Sequence, residues 1–151
     1  MLFRSNIVAG TGNVTLNASQ GGITLNTATG QVSGNVLNVR AQNNTVLNTN
    51  VSTLIANITN PGSTLTINEA NSLTAVGTNV ATTNGDISIN LATGSLNGAG
   101  NIVAGTGNVA LNASGGAITL NTSTSQVSGN VLNVRAQNNT ALRSEEHTSE
   151  L

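Results

Sequence analysis

The chain has 151 residues, a formal net charge of −1 and no cysteine, and only 6% of its residues are charged. Residues 6–142 contain two arginines, two carboxylates and no aromatic residue, together with 26 asparagines and all 17 glycines. This composition excludes a core built on aromatic side chains, a basic surface for nucleic acid, and an apolar run of the ~20 residues that a membrane span needs.

A long stretch of the sequence occurs twice. Residues 6–47 return at 101–142, which is 95 residues later, and only six of these 42 positions differ. Such close similarity indicates recent duplication within a longer array, and internal repeats are typical of solenoid proteins. The similarity stops at Ser5 and at Arg143, where the composition also changes.

Both ends resemble translated sequencing adapter. The codons AGA TCG GAA GAG CAC ACG TCT GAA CTC encode RSEEHTSEL, the sequence of residues 143–151, and resemble a common short-read adapter. GTG CTC TTC CGA TCT, read from a GTG start, encodes MLFRS, and is the reverse complement of the first fifteen bases of the other string. We therefore predict that residues 1–5 and 143–151 are adapter-derived and not native, with a real charged tail as the alternative. A sequencing read through the parent DNA across both junctions tests this prediction.

Apolar and polar residues alternate along most of residues 6–142. In chain order, this period of two predicts strands at Val14–Ala18, Ile23–Leu25, Leu37–Ala41, Leu65–Ile67 and Ile87–Leu91. Turns are predicted between them by QGG at 20–22, SGN at 33–35, QNN at 42–44, NPG at 60–62 and TNG at 83–85. Because no window has the apolar period of a helix, the sequence predicts an all-β chain.

A β-sandwich and a β-solenoid both contain short strands and frequent turns, and the spacing of similar strands favours the solenoid. The steps from Leu16 to Val39, Ile67, Ile89 and Leu111 together span the 95-residue repeat, which predicts about four coils per repeat, or five if the coils are shorter. Stacked strands ~4.8 Å apart place Val, Ile and Leu on their counterparts in the next coil. Asparagine tolerates left-handed turns, and its amide forms ladders between coils, so we expect both uses here.

Four motifs resemble a known type of protein. GNVTLNA at 12–18, GGITLNTATG at 21–30, GSTLTINEANSLTAVGT at 62–78 and NGDISINLATG at 84–94 are similar to repeats of large bacterial surface and secreted proteins of the filamentous-haemagglutinin-like, two-partner-secretion adhesin type. The resemblance covers residues 6–142. It implies a right-handed parallel β-helix at the cell surface or outside the cell, with a structural or adhesive role and with glycans or proteins of a host or the environment as partners.

Two candidate chemical motifs have simpler explanations. GTGN at 10–13 and 105–108 resembles the start of a phosphate-binding loop, but it lacks a third glycine, a following helix and a nearby lysine, so we predict a turn between coils. Glu69 and Asp86 are the only carboxylates in residues 6–142. They would form an acid/base pair in a β-helical polysaccharide-cleaving enzyme, but we expect solvated turn charges instead.

Arg40 and its copy Arg135 are the only cations of residues 6–142. Each follows an apolar residue of the alternation, so we expect both to point outward as solubilising charges, with the binding of an anionic sugar as the alternative. His147 belongs to the segment assigned to adapter, and it is therefore no candidate catalytic base.

We accordingly predict a structural or adhesive segment that is not an enzyme. We expect no catalytic residue, no metal site, no cofactor and no nucleic-acid partner, no membrane insertion by this segment, and packing against neighbouring repeats of the same chain. Two alternatives remain open. One is a β-helical carbohydrate-active enzyme, and the other is an ice-binding solenoid, for which Thr-x-Thr occurs at 27–29, 64–66 and 122–124 but not on every coil.

Overall fold

The computed structural model describes residues 2–3, 5–25, 30–73, 75–98, 100–120, 122 and 125–142, with the backbone alone at 3 and 75–78. Parallel strands in these residues stack as a β-solenoid of about 6 turns, and none of the described residues is helical. The all-β, parallel β-helical prediction is confirmed. The strands are β1 (Leu2–Phe3), β2 (Ile7–Val8), β3 (Val14–Ala18), β4 (Thr24–Leu25), β5 (Val32–Ala41), β6 (Thr45–Ile58), β7 (Leu65–Glu69), β8 (Ala75–Thr82), β9 (Ile87–Leu91), β10 (Leu96–Asn97), β11 (Asn101–Val103), β12 (Val109–Ala113), β13 (Ile118–Leu120), β14 (Val127–Ser128), β15 (Leu132–Ala136) and β16 (Thr140–Leu142).

The strands stack on three faces, which we name after one buried leucine of each. The Leu16 face contains β3, the C-terminal parts of β5 and β6, then β8, β11 and β14. The Leu111 face contains β1, β4, the N-terminal part of β6, then β7, β9, β12 and β15. The Leu96 face contains β10, β13 and β16, and Leu73 bridges to Leu96 there. In the first turns, β2 pairs with the start of β5.

Inward side chains of the three faces form one aliphatic core. Each face contributes columns in which a residue pairs in register with its counterpart on the next strand, ~4.8 Å away, so that Val, Ile, Leu and Ala bury one another without larger side chains. On the Leu16 face one such column contains Leu16, Val39, Ala56, Val80 and Ile102, all of which are buried.

The two copies of the repeat lie on different faces. Four turns along the column just described lead from Leu16 to Ile102, which is the sequence copy of Ile7 and not of Leu16. Leu111, the copy of Leu16, follows nine residues after Ile102 and lies on the next face. The 95-residue repeat therefore spans about four and one third turns, between the four and five coils that the sequence predicts.

One predicted step between coils is wrong. Val39 pairs with Ala56 on the Leu16 face, whereas Ile67 pairs with Leu47 on the Leu111 face. The 28-residue step from Val39 to Ile67 thus covers one complete turn and the further stretch of chain that leads to the next face. Because the strands of all faces have the same period of two, alternation does not show on which face such a step ends. The register confirms the other steps, which are Leu16 to Val39, Ile67 to Ile89 and Ile89 to Leu111.

Four of the five predicted turn sequences form turns or bends, including TNG, in which Asn84 has a φ of 60°. The exception is SGN at 33–35, which lies inside β5, whereas its copy at 128–130 is bent at Gly129 and Asn130. A Cβ at Gly34 would lie 2.8 Å from the carbonyl oxygen of Gly12 in the preceding coil. Glycine at this position therefore permits close stacking of two coils and does not make a turn.

The structure does not test the origin of the two end segments. Residues 143–151, with His147, lie outside the described residues, as do Met1 and Arg4. Leu2–Phe3 pair in parallel with Thr24–Leu25. That pairing does not bear on the origin of the codons, so the adapter assignment of 1–5 and 143–151 stays a prediction.

Candidate functional site

Glu69 is a buried carboxylate, and the prediction that it is a solvated turn charge is wrong. Its side chain is 1% exposed at the end of β7, on the inner side of the Leu111 face. It lies in a column between Thr49 and Leu91 of the neighbouring coils. The alternation of Leu65 and Ile67 with polar residues places position 69 inward, and this is the sequence signal for its burial, although isolated carboxylates are usually exposed.

Hydrogen bonds to both carboxylate oxygens compensate for this burial. Thr49 Oγ1 donates to Glu69 Oε2 at 2.7 Å, and the backbone N–H of Val51 donates to Oε2 at 3.2 Å. The backbone N–H of Asn71 donates to Oε1 at 3.2 Å. Burial raises the pKa of Glu69, and the hydrogen bonds oppose the increase because they favour the charged form. Since Thr49 and Val51 belong to the preceding coil, Glu69 links two coils inside the core.

Asp86 is exposed, as predicted, and accepts a hydrogen bond from the backbone N–H of Asn108 at 2.7 Å. It immediately precedes β9, whose last residue, Leu91, pairs with Glu69. The Cα atoms of the two residues are therefore about 16 Å apart along the strand direction, given ~3.3 Å per residue. Carboxylate pairs of glycoside hydrolases are about 5 to 9.5 Å apart, so the fold does not bring this candidate acid/base pair together.

The two arginines point outward, as predicted, and each lies beside the same two asparagines. Arg40 pairs in register with Asn17 and follows Asn38 by two residues on the outer side of the Leu16 face. The copy on the Leu111 face has the same arrangement. Within the described residues, none of these six side chains has a hydrogen bond or an ion pair. We call them the arginine triads, which are Asn17, Asn38 and Arg40 on one face and Asn112, Asn133 and Arg135 on the other.

Shallow pockets border both triads. A pocket of about 280 Å³ is lined by Asn112, Asn133 and Arg135 together with three aliphatic neighbours. Arg40 lies between two pockets, one of about 370 Å³ that includes Asn17 and one of about 290 Å³ that includes Asn38. Each arginine thus borders a concave surface that is open to solvent and is lined by both polar and aliphatic residues.

Elsewhere on the outer surface, asparagines bind one another between coils. On the Leu111 face, Asn68 Nδ2 donates to Asn48 Oδ1 at 3.2 Å, and Asn90 Nδ2 donates to Asn68 Oδ1 at 3.1 Å. Further pairs across coils are Asn60 with Asn43, Asn71 with Asn50 and Asn130 with Asn108. The predicted amide ladder is confirmed. It stops before Asn112, which is the next residue of this column and belongs to a triad.

Among the described residues, the remaining candidate motifs form no site. Both GTGN segments form turns, with φ values of 57° at Gly10 and 59° at Gly105, and each is followed by a strand, so the turn prediction is confirmed. No group of three or more His, Cys, Asp or Glu that could hold a metal occurs in the part of the chain that the structure describes. Of the Thr-x-Thr pairs, positions 27, 29 and 124 lie outside that part, while Thr64 and Thr66 are half-buried.

The fold and the surface define a class of protein, a β-solenoid built from repeats with a largely uncharged polar exterior. Comparisons of the chain with protein-family models, with curated proteins and with solved structures find no match. Over residues 2–3, 5–25, 30–73, 75–98, 100–120, 122 and 125–142, no helix has the length and apolarity that crossing a membrane requires.

Proposed function

We propose that this chain is a rod segment of a structural or adhesive bacterial protein that is exposed at the cell surface or secreted, and that it has no catalytic role. The observation that carries the proposal is the identical stacking of the two copies. Leu16 pairs with Val39 and Leu111 pairs with Val134, so both copies have the same offset to the following coil although they lie on different faces. A further repeat therefore extends the solenoid without changing its contacts or chemistry.

The location and the adhesive role rest on a different observation, the resemblance of motifs such as GNVTLNA and NGDISINLATG to repeats of filamentous-haemagglutinin-like adhesins. A rod of this kind would hold a binding domain away from the cell and present its own polar surface to glycans or proteins. The separation of Glu69 from Asp86 favours this role over polysaccharide cleavage, because the two carboxylates lie too far apart to act on one glycosidic bond.

Small-angle scattering of lengthened chains tests the rod. Residues 48–142 are repeated once or twice after Leu142, which restores the natural junction because 142 is the copy of 47. Each added unit of 95 residues should lengthen the particle by about 21 Å at constant cross-section, from four and one third turns of ~4.8 Å. A cross-section that grows with each unit would contradict the proposal. Turnover on a panel of polysaccharides would favour the enzyme instead, and thermal hysteresis would favour ice binding.

A further inference from the structure

We propose that the two arginine triads are binding subsites for an acidic polysaccharide, with the carboxylate or sulfate of a sugar residue on the guanidinium and neighbouring hydroxyls on the two amides. This inference names a ligand for the adhesive part of the proposed function and does not depend on the rod geometry. The triads are Asn17, Asn38 and Arg40 on the Leu16 face and Asn112, Asn133 and Arg135 on the Leu111 face.

Within the described residues, no acidic group neutralises the positive charge of either triad. The two arginines are the only cations there, and the two carboxylates are committed elsewhere, because Glu69 is buried against Thr49 and Asp86 binds the backbone of Asn108. A guanidinium carries a planar fork of donors that matches a carboxylate or sulfate at two points. Both arginines are therefore exposed cations on a surface that is otherwise almost free of charge, and a negatively charged ligand complements them.

The amides distinguish the triads from an isolated surface charge. Ladder asparagines such as Asn68 use their amides to bind the next coil, whereas the triad asparagines bind no protein group in the described residues. Each free amide offers donors and an acceptor, which is the combination that binds sugar hydroxyls. The register holds Asn17 and Asn112 on the strand next to the arginine, while Asn38 and Asn133 lie on the same strand and the same side. The sheet thus sets the backbone positions of the three residues before a ligand arrives.

Because the repeat places two subsites on one chain, it favours a polymeric ligand that binds both of them. A single shallow, solvent-exposed contact of this kind is weak, but two subsites with the same three residue types on one chain bind the same polymer with a high effective concentration. The subsites lie on adjacent faces and about four turns apart, because the repeat spans about four and one third turns. A flexible polyanion that winds around the rod reaches both of them.

Binding of the full chain to three immobilised polysaccharides tests the proposal. Polygalacturonate supplies carboxylates, dextran sulfate supplies sulfates, and dextran is the uncharged control. We expect binding to at least one of the two polyanions, weakening with added salt, and none to dextran. Arg40→Gln combined with Arg135→Gln should reduce the affinity about tenfold or more. The polymer that binds identifies the anion, and equal binding to dextran, or no binding to either polyanion, overturns the proposal.

Charge-neutral variants separate a built subsite from simple charge attraction. Asn38→Ala combined with Asn133→Ala leaves both arginines in place and should still reduce the affinity several-fold. Asn13→Ala removes an exposed asparagine in a turn outside the triads and should leave binding unchanged. Circular dichroism confirms that each variant keeps its β structure. If the arginine variants lose binding while the asparagine pair retains it, the proposed subsites are wrong. Scattering of the lengthened chains is unaffected by any of these outcomes, so the rod and the subsites fail separately.

Discussion

Leu16 and Leu111 occupy the same position in two nearly identical copies of one sequence, yet they lie on different faces of the solenoid. The cause is the length of the repeat, which exceeds four whole turns by about one third of a turn. Outward residues of successive copies, such as Arg40 and Arg135, consequently point in different directions. Three consecutive repeats return the pattern to its first face, so a long array of this sequence would present the same residues on all sides.

Disulfide cross-linking tests which residues lie on the same face of the solenoid. The chain is suited to this experiment because it has no cysteine. Arg40→Cys combined with Asn57→Cys should form a disulfide readily on oxidation, since the two residues pair in register on adjacent strands, at a distance a disulfide spans. Arg40→Cys combined with Asn68→Cys is the matched control, because Asn68 lies on the Leu111 face and should remain reduced. Electrophoresis without reductant distinguishes the cross-linked form. Efficient cross-linking of 40 to 68 would show that the faces are assigned wrongly.

Glu69 should make the free energy of unfolding depend on pH. Its pKa is raised in the folded state, so the fold favours the protonated form. The stabilisation is fully present below the ordinary glutamate pKa and is lost as the pH rises through the higher folded pKa, above which the free energy of unfolding is constant. Denaturant unfolding at a series of pH values should therefore show lower stability at pH 8 than at pH 4.

Glu69→Gln should remove most of this pH dependence. Its Oε1 still accepts from the backbone N–H of Asn71 and lies 3.3 Å from the backbone nitrogen of Val51 in the parent chain, so it accepts from that N–H as well. Its Nε2 donates to Thr49 Oγ1, as the O–H of the protonated acid does. Asp86→Asn removes one negative charge at an exposed position and is the matched control, and Glu69→Gln should reduce the slope by more than this control does. A slope that survives in Glu69→Gln would mean that another group is responsible.

Two glycines with the same backbone conformation should differ in their tolerance of alanine. Gly62 and Gly94 have φ values of 76° and 78°, but a Cβ at 62 meets open space, whereas a Cβ at 94 lies 2.7 Å from the backbone nitrogen of Ser72. Gly62→Ala should lower the free energy of unfolding by about 1 kcal/mol, from the left-handed conformation alone. Gly94→Ala should lower it by about 2 to 4 kcal/mol, because the coils must also separate. Equal effects in thermal or denaturant unfolding would contradict the close stacking of coils at position 94.

The amide ladder should contribute measurably to stability. Asn68 bonds to Asn48 on one side and to Asn90 on the other, so Asn68→Ala should lower the free energy of unfolding by about 1 kcal/mol. Asn112→Ala removes the same side chain from the same column, where no hydrogen bond is formed within the described residues, and should change stability by less than about 0.5 kcal/mol. Denaturant unfolding measures both. A larger effect at 112 than at 68 would contradict the ladder.

Alternation predicted most of the individual strands because a strand with one buried face shows its period directly in the sequence. Val14–Ala18 and Ile87–Leu91 have the predicted bounds, and the outward position of Arg40 follows from its place next to Val39. The ladder followed from the abundance of asparagine in a stacked fold. These features depend only on neighbouring residues along the chain and on the spacing of strands.

The sequence by itself determined that this chain forms short parallel strands, turns at its glycine and asparagine clusters, and an aliphatic core. Only the tertiary structure decided which strand stacks on which, because Ala56 and Ile67 both satisfy the same alternation, yet Ala56 lies on the face of Val39 and Ile67 lies on the next face. It also decided that Glu69 is buried and that Gly34 stacks instead of turning, since both depend on donors and carbonyl oxygens supplied by a preceding coil about 20 residues away. Contacts between coils are set by how many residues complete a turn, and a pattern with a period of two contains no measure of that number.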